Sequence, residues 1–170
     1  MQRRTWLKLG ISGGAVLAVI AGGTVLSYED AWRDGRLSSA GTSVIRSIAR
    51  AVLLGSLPVQ HVAHEVALTA HVERMESTLR VMTPSTQHEA NNLLSLLVTH
   101  PGRLLITGLL APWPDAHVAQ VQGALQSMRV SRIMLRRQAY HALRDLTHAA
   151  YFADSGSWTQ LGYPGPMQLG

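Results

Sequence analysis

Three histidines and a glutamate, His61, His64, His71 and Glu65, fall within the stretch HVAHEVALTAH. Imidazole and carboxylate groups bind zinc and iron, and they exchange protons in general acid–base chemistry. On a helix the four lie within about a third of a turn of one another. At 1.5 Å of rise per residue, however, His61 and His71 stand about 15 Å apart along the axis. One ion reaches only one end of the set. His61, His64 and Glu65 are therefore the candidate metal ligands, or the acids and bases of a stand-alone enzyme. Their spacing is not the His-Glu-x-x-His of metalloproteases. The structural alternative is that these histidines flank an apolar helix face and hydrogen-bond across a bundle. His88, His100, His117, His141 and His148 are scattered and form no triad by spacing.

A second set is cationic. Arg129, Arg132 and Arg136 recur at i, i+3 and i+7, and Arg137 and Arg144 follow. A guanidinium pairs bidentately with carboxylate or phosphate, so this edge suits an acidic partner or anionic lipid headgroups. It equally suits a solvated helix face with local ion pairs, since Asp145 is close in sequence. A third set is aromatic. Trp113 sits between Pro112 and Pro114. Tyr151 precedes a tail carrying Trp158, Tyr163, Pro164 and Pro166. Large aromatics on proline-stiffened segments anchor interfaces at low entropic cost; the alternative is that they fold back over their own domain. Catalytic motifs are missing. There is no glycine-rich phosphate loop after a strand and no Gly-x-Ser-x-Gly elbow. Asp115, Asp145 and Asp154 lie on separate elements. No residue is assigned to catalysis or to a cofactor.

The elements that would position these residues read as helices. Val44, Ile45, Ile48, Val52 and Leu53 form the buried stripe of a helix over 42–53, ended by Gly55 and Pro58. A second helix fits 60–81, with Leu68, Val72, Met75 and Leu79 on one face. Thr83 before Pro84 is an N-cap followed by proline in the first turn. This third helix ends at His100-Pro101-Gly102, and its apolar second half, Leu93–Val98, predicts a central position. A short helix is expected over 103–110. After Pro112-Trp113-Pro114, Asp115 is expected to cap a helix with Val118, Val121, Leu125 and Met128 inward. Ser131 is expected to cap a last helix through Phe152. The Gly/Pro-rich tail predicts neither helix nor central strand. The expectation is all-α: a bundle of five or six helices over 42–153, a linker at 29–41 and an irregular tail at 154–170.

Residues 1–28 read as an address. Arg3, Arg4, Trp6, Leu7 and Lys8 precede a run from Leu9 to Tyr28 with no charged residue but five glycines. The length matches a bilayer core, yet the run is mild for a spanning helix. Basic start, apolar middle and small residues at the end are the layout of an export signal. Arg-Arg-Thr-Trp-Leu-Lys resembles the twin-arginine signal, which a translocase reads and which carries folded cargo. An uncleaved anchor on the inner membrane is the alternative. The expected location is periplasmic, free or held on the periplasmic face of that membrane.

Composition narrows the rest. The chain has no cysteine, which removes disulfides, thiolate metal sites, iron–sulfur clusters and covalently attached haem c. Arg3, Arg4 and Lys8 account for three of the fifteen basic residues. The remainder carries twelve arginines against ten acidic residues, too balanced for a nucleic-acid binder.

The leader, the cysteine-free helical domain and the ending Tyr151-Phe152-x₅-Trp158-x₃-Gly162-Tyr163-Pro164-Gly165-Pro166 together resemble one group. This is the gluconate 2-dehydrogenase subunit 3-like family, the small subunits of periplasmic flavin dehydrogenases of the glucose-methanol-choline type. The pieces AVLLGSLP and Pro101-Gly102-Arg103 fit the same pattern. The resemblance implies a non-catalytic subunit that holds no cofactor. FAD would sit in the large subunit, and haem in a cytochrome c subunit where one is present. The small subunit would help fold the large one and carry it through the translocase. Trp113, Arg132, Arg136, Tyr151, Trp158, Tyr163, Pro164 and Pro166 are the candidate partner contacts. A structural envelope protein with an uncleaved anchor is the remaining alternative.

Overall fold

Ser38 starts the first helix. Its backbone is extended (φ −65°, ψ 165°) and its hydroxyl accepts the Gly41 N–H at 3.1 Å, satisfying one of the open first-turn amides of α1 (Ser39–Val52). α1 buries Val44, Ile45 and Ile48 almost completely; removing such side chains from water is worth about 1.5–3 kcal/mol each. Its other buried residues are small, Gly41, Ser47, Ala49 and Ala51, so neighbours can approach on several sides. The computed structural model, which describes residues 30–160 and 162, accordingly places α1 at the centre. It packs against α2 (His61–Arg80), α3 (Pro84–Val98), α5 (Val118–Arg129) and α6 (Met134–Phe152). The central place expected for α3 belongs to α1. α3 buries Ala90, Leu93, Leu94 and Leu97 against it from one side. The most extensive helix–helix packing joins α2 and α6.

The stretch before α1 is not a linker. From Asp30 onward it is stitched to the domain. Strands β1 (Trp32–Arg33) and β2 (Arg36–Leu37) pair antiparallel, Trp32 opposite Leu37. Asp34 (φ 53°) and Gly35 (φ 77°) make the two-residue left-handed turn that joins such strands. The Ala31 N–H donates to Ser95 Oγ, the Trp32 N–H to Asn91 Oδ1 and the Leu37 N–H to Glu76 Oε1, each at 2.9 Å. Ala31 is fully buried, and its carbonyl lies so close to Gly41 that a Cβ there would stand 2.5 Å away.

Other boundaries move for identifiable reasons. Thr83 caps α3 as expected, accepting the Thr86 N–H at 3.3 Å. Thr99 then ends α3 and begins α4 (His100–Thr107) at once, donating to Leu96 O at 2.8 Å and accepting from Gly102 N at 3.1 Å. His100-Pro101-Gly102, expected as a stop, is the first turn of α4, where a missing proline N–H costs nothing. A 3₁₀ turn covers Trp113–Asp115, and the residue capping α5 is His117 rather than Asp115. At α6 the N-cap is Ile133; Ser131 Oγ instead accepts the Ile133 N–H at 3.1 Å. The tail contains a short helix, α7 (Gly156–Gln160), where none was expected. Asp154 starts it by accepting the Gly156 N–H on its carboxylate at 3.0 Å. Among the described residues the fold is all-α apart from the hairpin: six bundle helices and α7. No helix among them is long and apolar enough to cross a membrane.

Candidate functional site

The histidine stretch lies on α2, and the structure divides it. His61 is exposed at the first turn. His64 is half-buried, its Nδ1 3.1 Å from the Pro58 carbonyl oxygen. Glu65 forms an ion pair with Arg46 of α1, and Arg46 also donates to Thr69 Oγ1 at 3.2 Å. The carboxylate is thus committed to a cation. Among the described residues no group of three or more His, Asp or Glu side chains is placed to hold a metal ion.

His71 differs from both. It stands in register with Leu68, Val72, Met75 and Leu79 on the buried face of α2 and is fully buried. Neither ring nitrogen has a hydrogen-bond partner, so the expected bond across the bundle is not made. Burial, reinforced by the nearby Arg74 charge, lowers its pKa from 6.5 to about 4. His71 is a neutral imidazole held in the core.

The aromatic candidates also separate. Trp113 is a core residue: it is 4% exposed, its Nε1–H donates to Leu97 O at 2.7 Å, and its carbonyl accepts Ser47 Oγ–H at 2.6 Å. Its assignment as a partner contact is corrected: its surface is spent inside the bundle, joining the 3₁₀ turn to α1 and α3. Tyr151 is 9% exposed, packs with Ala49, Leu53 and Leu68, and donates its hydroxyl to Ser56 O at 3.2 Å. Trp158, half-buried on α7, donates its Nε1–H to Phe152 O at 2.8 Å. The described part of the tail therefore folds back on the end of α6. Arg74 holds the same end, donating to Ala150 O at 3.2 Å and lying 3.4 Å from the Asp154 carboxylate. Arg3, Arg4, Trp6, Leu7, Lys8, Tyr163, Pro164 and Pro166 lie outside the described residues.

The arginine edge is not uniform either. Arg136 is half-buried and spends its guanidinium on Ile106 O (2.8 Å) and Ser127 Oγ (3.2 Å). Arg137 donates to Ser131 O at 2.7 Å, and Arg144 lies 3.2 Å from Asp145. Arg132 is exposed and, among the described residues, has neither hydrogen bond nor ion pair.

One surface was not singled out in the sequence. Leu54 (62% exposed), Val59 (101%), Val62 (75%) and Val66 (64%) project from the α1–α2 connection and the outer side of α2. Tyr151 ties that connection to the end of α6, where Phe152 is also exposed. The signal was available: Val62 and Val66 are four residues apart, and both fall outside the Leu68–Val72–Met75–Leu79 stripe. Four large exposed apolar side chains within thirteen residues are the kind of surface that marks an interaction site. Comparison of the chain with protein-family models, curated proteins and solved structures finds no match.

Proposed function

We propose that this chain is a non-catalytic accessory subunit. It binds, helps fold and co-exports the large subunit of a periplasmic FAD-dependent alcohol or sugar dehydrogenase, and the flavin belongs to that partner. The observation that carries the reading is an uncovered apolar surface, Leu54, Val59, Val62 and Val66, beside the folded-back tail. Tyr151 and Trp158, the described part of the motif on which the family resemblance rests, stand at the same end of the bundle. Val59 and Val62 supply the apolar area for docking, while Trp158 and Tyr151 brace the platform from behind. The paired Arg3 and Arg4 supply the export address for both chains. Burying four such valines and leucines in an interface core would contribute several kcal/mol, before the ordering costs of association.

The test is affinity capture of the tagged full chain from its native host, from periplasm and from solubilised membrane, with an absorbance scan for flavin and mass spectrometry. A stoichiometric flavoprotein oxidoreductase is expected. Its recovery should fall at least tenfold when Val59 and Val62 are replaced by serine. Recovery of the chain alone from both fractions would sink the reading.

A further inference from the structure

A second uncovered apolar surface lies at the other end of α6, about 28 Å away by helical rise. Here Arg136 binds three chain segments into one rim. It reaches Ile106 O at the end of α4 and Ser127 Oγ near the end of α5, while itself standing in the first turn of α6. Its Nη2 also passes Gly108, where a Cβ would stand 3.8 Å from it. Each segment presents large apolar side chains to solvent. Leu105 is 58% exposed and Leu110 73%, Val130 is 66%, and Ile133 and Met134 are 57% each.

Two observations give this rim a direction. The first is a broken local rule. Ile133 occupies the N-cap of α6, where Ser, Thr, Asp or Asn would satisfy the first-turn amides, and no side chain caps the helix. α2 also starts without a side-chain cap, at Gln60, so what distinguishes α6 is the large apolar side chain that Ile133 leaves exposed at the helix start. The second is charge. From Ala116 to Leu143 there is no acidic residue, against Arg129, Arg132, Arg136 and Arg137; exposed Asp115 precedes this run, and Arg144 after it is paired with Asp145. Arg129 and Arg132 stand exposed beside Val130 and Ile133 in sequence and, among the described residues, neither has a hydrogen bond or ion pair.

We propose that this rim seats the domain on an anionic phospholipid surface. The apolar residues are turn tips and helix ends rather than a continuous face, and the exposed charges beside Val130 and Ile133, Arg129 and Arg132, are both positive. That arrangement suits shallow insertion at the acyl boundary, with guanidinium groups at the phosphates. A protein interface normally keeps charge away from its core and has a mixed polar rim. The inference does not depend on the flavoprotein reading, because it uses the opposite end of the bundle and needs no partner chain.

The experiment is hydrogen–deuterium exchange of the full chain with vesicles of phosphatidylcholine alone or with a third phosphatidylglycerol. A localised readout is needed because the uncharged run Leu9–Tyr28 is also present. With anionic vesicles, exchange slows at 104–110 and 129–136 and stays unchanged at 54–66. Replacing Arg129 and Arg132 together by serine removes two surface cations and lowers vesicle partitioning about 30-fold, while leaving the circular dichroism spectrum intact. Leu110→Ser with Ile133→Ser abolishes the local protection. Equal protection with both vesicle types, or none at these segments, overturns the proposal. So does protection that appears only when an acidic protein from the host is added, which would make the rim a protein interface.

Discussion

His71→Leu should stabilise this protein, and more so in acid. The side chain is fully buried on the face of α2 that packs against the core, and both ring nitrogens lack partners. A neutral imidazole carries one donor and one acceptor, and each buried polar atom left unpaired costs about 1–3 kcal/mol. Leucine has comparable volume and no polar atom, so little of its gain is lost to repacking. The pH dependence follows from the pKa, which falls from 6.5 in the unfolded chain to about 4 in the fold. Between these values the unfolded state binds the proton and the folded state does not. Wild-type stability is therefore lost as pH drops below 6.5, and the loss levels off below about 4. The difference amounts to about 2 kcal/mol at pH 5 and about 3 kcal/mol at pH 4. Urea unfolding of both proteins, followed by circular dichroism at pH 7.5 and pH 5, isolates this contribution because the other titrating groups are shared. The gap between variant and wild type should widen by about 2 kcal/mol on acidification. Parallel losses in the two proteins would refute the reasoning, since they would show that His71 does not control the proton linkage.

Two glycines on helices should respond in opposite ways to alanine. At Gly102 a Cβ would lie 2.0 Å from the Leu96 carbonyl oxygen, so Gly102→Ala must force α3 and α4 apart and should lower the melting temperature severely. At Gly123 a Cβ meets nothing within 4 Å, and Gly123→Ala should stabilise by about 0.5–1 kcal/mol in the same thermal assay. Trp113→Ala should cost about 3–5 kcal/mol in urea unfolding, whereas an exposed partner anchor would cost almost nothing. Zinc at 100 μM should leave the melting temperature of the full chain within about 1 °C, since a micromolar site would add about 2.7 kcal/mol. A clear upward shift abolished by His61→Ala would restore the metal reading.

Much of the helical framework was legible because its signals are local. The Val44–Ile45–Ile48 stripe, the Leu68–Val72–Met75–Leu79 stripe and the Thr83-Pro84 cap each lie within a few residues, and each lands where the pattern puts it. Asp34-Gly35 was an equally local hairpin signal. The linker reading of 29–41 passes over it, although Trp32 and Leu37 are the apolar pair a hairpin needs. What could not be read locally depends on distant partners. Nothing near Trp113 says that its indole will find Leu97 O, sixteen residues back. Nothing near Arg136 points to Ile106 O, thirty residues back. The same applies to His71. Its spacing suggested a flank hydrogen-bonded across the bundle, but only packing decides that it is sealed without a partner.

The joining of α2 to α6 has a consequence for the order of events in the cell. Arg74 meets Ala150 across 76 residues, and Tyr151 meets Ser56 across 95. A chain made from its N-terminus has α1 to α5 available before α6, and α1 and α2 keep an open flank until α6 arrives. At about 5–20 residues per second, α6 and the tail follow the end of α5 by only a few seconds. Closure of the domain therefore waits for the last bundle helix: until α6 is made, the face of α2 that carries Leu68 and Val72 lacks its most extensive helix partner.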